Sequence, residues 1–299
     1  MGIESVAIVG AGAMGAMYAA HFADAGFATS LIARGERAAR LRDPGLLVNG
    51  APLATRVVDL DTEVPDPVGL IVVAVKSGQL DEAIADLAPL VGEHTTILSV
   101  LNGLDSEAAL ADAYGAERVL LSVALAMDAE REGRDVTYRQ SGMLVFGEAR
   151  NEPPSQRVVA VQEALDHAEL RWQTPVDMRH QMWWKFMVNV GINQASAVLR
   201  APYGAFAVDG PAREFMSALI GEVIEVARAE GVHLGPDDLA RWDHVLAGQP
   251  AGGRTSMHQD VEAGRPTEVG IFAGRVVELG RSHGIATPFN QAVAWILAG

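Results

Sequence analysis

The sequence predicts an α/β domain built on a mostly parallel sheet, followed by an all-helical domain. Three observations carry that expectation. The apolar run at residues 5–9 breaks directly into closely spaced glycines and then into helix-like residues. Apolar runs then alternate with helical stretches through the first half, a pattern that covers both faces of a sheet with helices. From Asp177 onward the strand signals cease and helical patterns dominate.

Composition narrows the function classes. With 299 residues the chain is long enough for two domains of ordinary size. Apolar residues make up 49% and charged residues 20%, as in ordinary globular proteins. Apolar stretches such as "VGLIVVAV" fall far short of the ~18–20 residues that cross a bilayer, and no basic, apolar and cleavable leader is readable, so a soluble cytoplasmic protein is expected. The absence of cysteine excludes disulfides, thiolate zinc sites and a thiol nucleophile. A formal net charge of -15 repels nucleic-acid phosphates and anionic lipid heads, so neither is an expected partner. A small anionic ligand therefore needs a local cationic pocket. The eight histidines are scattered without a ligand-like spacing, and no metal site is expected.

The first strand, residues 5–9, leads into Gly10-Ala11-Gly12-Ala13-Met14-Gly15, and a helix follows over 16–25, ending at Gly26. In this context the first glycine makes a tight turn, the second admits a pyrophosphate to the backbone, and the third lets helix and strand pack closely. The N–H groups around Ala13 and Met14 open the helix toward the phosphates. A dinucleotide-binding, Rossmann-type domain is expected. The second strand, 28–33, ends in "LIARGER", which puts Arg34 where an acid binds the ribose of NAD and an arginine binds the 2′-phosphate of NADP. NADPH is the expected cofactor; the alternative gives the ribose to Glu36 and makes it NADH.

Further strands are readable at 68–75, 95–100, 118–127 and 143–147, with helices around 79–91 and 105–114. Two strand ends carry polar groups where such a sheet meets its ligand: Lys76 in "VVAVKSGQ" and Asn102 in "ILSVLNGLD". A polar, proline-containing loop, a helix at 155–168 and a short strand in "LRWQTPV" close the domain. The composition shift places the boundary near 172–177, dividing residues 1–174 from 175–299.

Helices are expected at about 178–199, 211–231, 236–247 and 267–284, with Pro211 and Pro236 at starts and Gly231 and Gly284 at ends. In "WWKFMVNVGIN", Lys185, Asn189 and Asn193 stand four residues apart, which stacks them on one helical face. A lysine and two amides among Trp, Phe, Met, Val and Ile are costly if buried without partners, so the stripe should face a cleft. Later, "RTSMHQDVEAGRPTEVG" offers Ser256 and Glu268 as site candidates, whereas Asp260 reads better as a cap or an ion-pair partner of Arg265.

With these segments in order, the chain resembles the ketopantoate reductase (2-dehydropantoate 2-reductase) family over essentially its full length. "GAGAMG", "VKSGQ", "LNGL", "WWKFMVNVGIN" and "SMHQD" followed by "GRPTE" carry the resemblance. It implies a Rossmann domain followed by a helical domain with the active site in the cleft between them, and NADPH-dependent reduction of ketopantoate to pantoate, a coenzyme A precursor. By position it implies Gly10, Gly12 and Gly15 as the phosphate turn, Arg34 as the 2′-phosphate contact, and Lys76 and Asn102 as cofactor- and substrate-proximal groups. Lys185 falls at the catalytic lysine, Asn189, Asn193 and Ser256 at substrate contacts, and Glu268 at the cleft glutamate. The chemistry suits them, because hydride arriving at a carbonyl carbon builds negative charge on oxygen that an ammonium stabilises and protonates.

Three positions depart from the family pattern. Gly253 and Tyr203 stand where asparagines are common, and Gly270 where an aspartate is usual. The substrate is therefore open to another branched or bulky 2-oxo acid. A non-catalytic NADP sensor is the alternative from a different class, and it leaves the lysine–asparagine stripe unexplained. Helical second domains often pair, which makes a homodimer the expected assembly.

Overall fold

A computed structural model describes residues 2–298, and two compact units emerge, Met1–Met178 and Arg179–Gly299. In the first, β1 (Ser5–Val9), β2 (Ala28–Ala33), β5 (Arg56–Asp59), β6 (Leu70–Val73), β7 (Thr96–Ser99), β8 (Val119–Leu125), β11 (Met143–Gly147) and β12 (Trp172–Gln173) form an eight-stranded sheet in the order β12-β11-β8-β7-β6-β1-β2-β5. All neighbours are parallel except β11, which runs antiparallel to β8. Helices α1 (Ala13–Asp24), α2 (Gly35–Arg42), α3 (Leu80–Leu87), α4 (Ser106–Tyr114) and α5 (Gln156–His167) belong to the same unit.

The continuous apolar strands reflect burial on both faces. Along β1, Val6 and Ile8 enter one core with Leu70, Val72 and Leu98, while Ala7 and Val9 enter another with Ile71, Val73 and Ile97. Tyr18 and Phe22 of α1 are sealed in the first core, and burial pushes the Tyr18 hydroxyl above its ordinary range. A second, four-stranded sheet has the order β4-β3-β10-β9, from β3 (Leu47–Val48), β4 (Ala51–Pro52), β9 (Glu130–Glu132) and β10 (Asp135–Thr137). Its strands of two or three residues carry no readable periodicity, and β5 likewise lies outside the strands expected from sequence.

The second unit is helical. The segment expected at 178–199 is α6 (Met178–Val188), a π-helical turn at Asn189–Asn193 and α7 (Gln194–Leu199). Then follow α8 (Pro211–Ala229), α9 (Pro236–Ala247), α10 (Ser256–Glu262), a second π turn at Gly270–Gly274, α11 (Arg275–Ser282) and α12 (Pro288–Leu297). Pro211 and Pro236 occupy first turns, and Gly231 and Gly284 have φ of 79° and 68°, the left-handed conformation that ends a helix. Trp184 of α6 has specific partners: it donates Nε1–H to the Asp238 carbonyl at 3.1 Å, and the Arg241 guanidinium lies 3.7 Å from its ring centroid. Among the described residues no helix is long and apolar enough to cross a membrane, and no cluster of histidine, aspartate and glutamate suits a metal ion.

Candidate functional site

The glycine turn sits at the carboxyl end of β1, and its three glycines have different surroundings. Gly10 has φ +105°, and a Cβ there would lie 2.5 Å from the Ala74 carbonyl oxygen. A Cβ on Gly15 would collide with the Gly10 carbonyl, so the third glycine lets α1 close on the turn. Gly12 has nothing within 4 Å of its Cβ position and caps α1 without a side-chain hydrogen bond. Open space at Gly12, beside the unsatisfied N–H groups of Ala13 and Met14 at the helix start, fits a dinucleotide pyrophosphate.

Arg34 follows β2 and is held by two carboxylates. Its Nε lies 2.6 Å from Asp86 Oδ1 and its Nη1 2.9 Å from Asp61 Oδ1. The hydrogen bond to Asp86, then that to Asp61, pushes the guanidinium above its ordinary range. Asp59 shapes the same loop by accepting from the Gly35 and Asp61 amides at 3.0 and 3.1 Å. Lys76 is exposed, caps the short 3-10 turn Ser77–Gln79, and makes no ion pair among the described residues. Asn102 is half-buried before Gly103, whose φ of +100° bends the chain toward α4.

Beneath that bend is a polar network absent from the sequence expectations. Ser99 Oγ donates to Ser106 Oγ at 2.8 Å, Ser106 Oγ donates to the buried Glu107 carboxylate at 2.8 Å, and the Leu101 amide donates to Ser99 Oγ at 3.3 Å. The signal was two serines and a glutamate in and around apolar runs, which need one another once buried.

In the helical unit, Lys185 occupies the last turn of α6 and is half-buried, as is Asn189. The π turn alters the four-residue stacking expected from sequence, and Asn193 is buried at 8% exposure. Glu268 is half-buried just before the second π turn. Gln194 binds both π turns: its Nε2 donates to Val190 O and to Asn290 Oδ1, each at 3.0 Å, and its Oε1 accepts from the Ala273 amide at 2.8 Å. Asn290 in turn donates to Glu222 Oε2 at 2.7 Å.

Ser256 is exposed at the first position of α10, while its buried neighbour Thr255 caps that helix and meets Ser196 Oγ at 2.5 Å. Two of the departures are one feature. The Tyr203 amide donates to the Gly253 carbonyl at 2.9 Å, and a Cβ on Gly253 would come within 3.1 Å of the Tyr203 ring. Burial raises the Tyr203 hydroxyl above its ordinary range. Gly270 opens the second π turn with no neighbour within 4 Å of its Cβ position.

Comparison with known proteins places these features in context. The model for "Ketopantoate reductase PanE/ApbA" matches residues 6–151, and that for its C-terminal part matches residues 177–299. A 2-dehydropantoate 2-reductase of Halobacterium salinarum is 30% identical over 97% of this chain and 96% of its own. One from Caulobacter vibrioides is 31% identical over 99% and 98%. Among solved structures, a 2-dehydropantoate 2-reductase from Geobacter metallireducens is 26% identical and superposes with a TM-score of 0.84 over 98% of this chain and 99% of that one. A D-mandelate dehydrogenase, 22% identical, shares the fold at a TM-score of 0.87 over 98% and 97%.

Proposed function

The chain belongs to the ketopantoate reductase family of oxidoreductases, and we propose that it uses NADPH to reduce ketopantoate to pantoate. The observation that carries this reading is a pairing: a glycine turn open at Gly12, and a half-buried Lys185 flanked in α6 by the buried apolar residues Trp183, Trp184, Phe186 and Met187. Reduced nicotinamide, when bound, supplies the hydride for the carbonyl carbon. The chain's own residues do the rest. The Gly12 backbone and the start of α1 hold the pyrophosphate, Arg34 faces the 2′-phosphate, and Lys76 and Asn102 stand near the cofactor and substrate. Lys185 donates its proton to the carbonyl oxygen as charge develops there, and regains one from solvent. Glu268 orients that ammonium or the product hydroxyl, and Asn189, Asn193 and Ser256 bind the remainder of the substrate.

A second reading keeps the reaction and changes the substrate to a bulkier 2-oxo acid. Tyr203 against Gly253 favours it, because an aromatic ring stands where the family pattern has amides. Residence in the cytoplasm and a homodimeric assembly belong to the same proposal. The test is NADPH oxidation over a panel of 2-oxo acids including ketopantoate, branched and aromatic members. Ketopantoate should lead the panel, and Lys185→Ala should lower turnover by ~10²–10⁴ while cofactor affinity stays near the parent value. Lys185→Arg should not restore full activity, since guanidinium is a poor proton donor near neutral pH. Tight NADPH binding without oxidation of any member would instead identify a sensor.

A further inference from the structure

Arg34 is poorly placed to act alone on a phosphate. Asp61 and Asp86 already satisfy two of its N–H groups, and two carboxylates outweigh one guanidinium. A dianion arriving there meets a local excess of negative charge, on a chain whose net charge is already -15. Two other arginines differ. Arg37 lies in the first turn of α2, exposed, with no ion pair among the described residues. Arg131 lies on β9, and its guanidinium donates to the Ala11 carbonyl inside the glycine turn and to the Gly133 carbonyl at 2.8 Å. Neither contact involves a carboxylate.

The topology brings these groups to one edge. In the parallel register Val9 of β1 faces Ile32 of β2, so the glycine turn at 10–12 continues beside residues 33–35 and the start of α2. The hairpin of β9 and β10 packs over α1, and period-two alternation sends Arg131 to the opposite side from its neighbours Glu130 and Glu132. Burial lowers the Arg131 guanidinium from its ordinary range, and the charge of Arg37 lowers it further. Two cations that repel each other gain when an anion enters.

We propose that Arg37 and Arg131 form the pocket for the phosphate on the adenosine ribose, with Arg34 held beside it by Asp61 and Asp86 as a positioned third group. The inference rests on the dinucleotide reading of the glycine turn and deepens it, because it moves NADP selectivity onto two residues that the nucleotide motif does not contain. Asp61 acts against the phosphate by competing for Arg34.

The test uses the full chain and isothermal titration with adenosine 2′,5′-bisphosphate, adenosine 5′-monophosphate, NADPH and NADH. Arg131→Gln keeps a side-chain donor for the Ala11 carbonyl and removes the charge. It should weaken the 2′-phosphorylated ligands ~10–100-fold and the others less than about threefold, and Arg37→Gln should act in the same direction. Asp61→Asn should tighten the 2′-phosphorylated ligands. Equal losses for both ligand classes in Arg131→Gln would make Arg131 a strut of the turn and overturn the pocket. An unchanged ratio in both arginine variants would overturn it too, while leaving the dinucleotide reading intact. If the parent protein binds NADH as tightly as NADPH, or binds neither, the NADP reading itself fails and takes the pocket with it.

Discussion

At the residue scale, the glycines at 10, 12 and 15 share a motif and separate cleanly in what they tolerate. Gly15 faces the Gly10 carbonyl, a backbone group that cannot swing away, so Gly15→Ala should cost about 1–3 kcal/mol in urea denaturation. Gly12 has extended backbone angles, φ -73° and ψ -165°, and open space around its Cβ position. Gly12→Val should therefore leave stability within about 0.5 kcal/mol of the parent and yet weaken NADPH binding severely, because the new side chain fills the approach of the pyrophosphate. Undiminished affinity in that folded variant would contradict a phosphate-binding turn. The roles of Gly10 and Gly15 follow from strand–turn–helix order alone, whereas Arg131 was not legible: it lies about 120 residues along, on a strand too short to announce itself.

At the element scale, the two π turns interrupt helices that their sequences describe as regular. Apolar spacing marked the segment 178–199 as helical, but a local widening of the helix does not change which residues are apolar. Its cause lies in tertiary structure. Gly191 packs so that a Cβ would come within 2.6 Å of Ile220 Cγ1, and Gln194 supplies partners to backbone groups of both π turns. Gln194→Leu should leave the Ala273 amide and the Asn290 Oδ1 unpaired in a buried setting, at about 1–3 kcal/mol. Chemical denaturation measures this, and a variant as stable as the parent would show the glutamine to be incidental. The long apolar strands of the main sheet were legible for the opposite reason. Burial on both faces writes itself as a continuous run, and β1 and β2 begin and end at the expected residues.

For the whole molecule, the proposed reading assigns the dinucleotide to the first compact unit and the proton donor to the second. NADPH at a hundred times its Kd should stabilise the protein that binds it by about 2.7 kcal/mol, read as a rise in melting temperature. Lys185→Ala should retain that rise and Gly12→Val should lose it. A rise that survives in Gly12→Val would place the cofactor elsewhere. The small four-stranded sheet has an implication for ancestry. Its strand β9 is exposed along its length, as is Arg37 at the start of α2, so substitutions at Arg37, Glu130 and Glu132 should disturb folding little. If the proposed phosphate pocket holds, descendant lineages can exchange one coenzyme for the other by drifting at Arg37, a surface position of this kind. Gly15, locked against a main-chain oxygen, leaves natural selection almost no room.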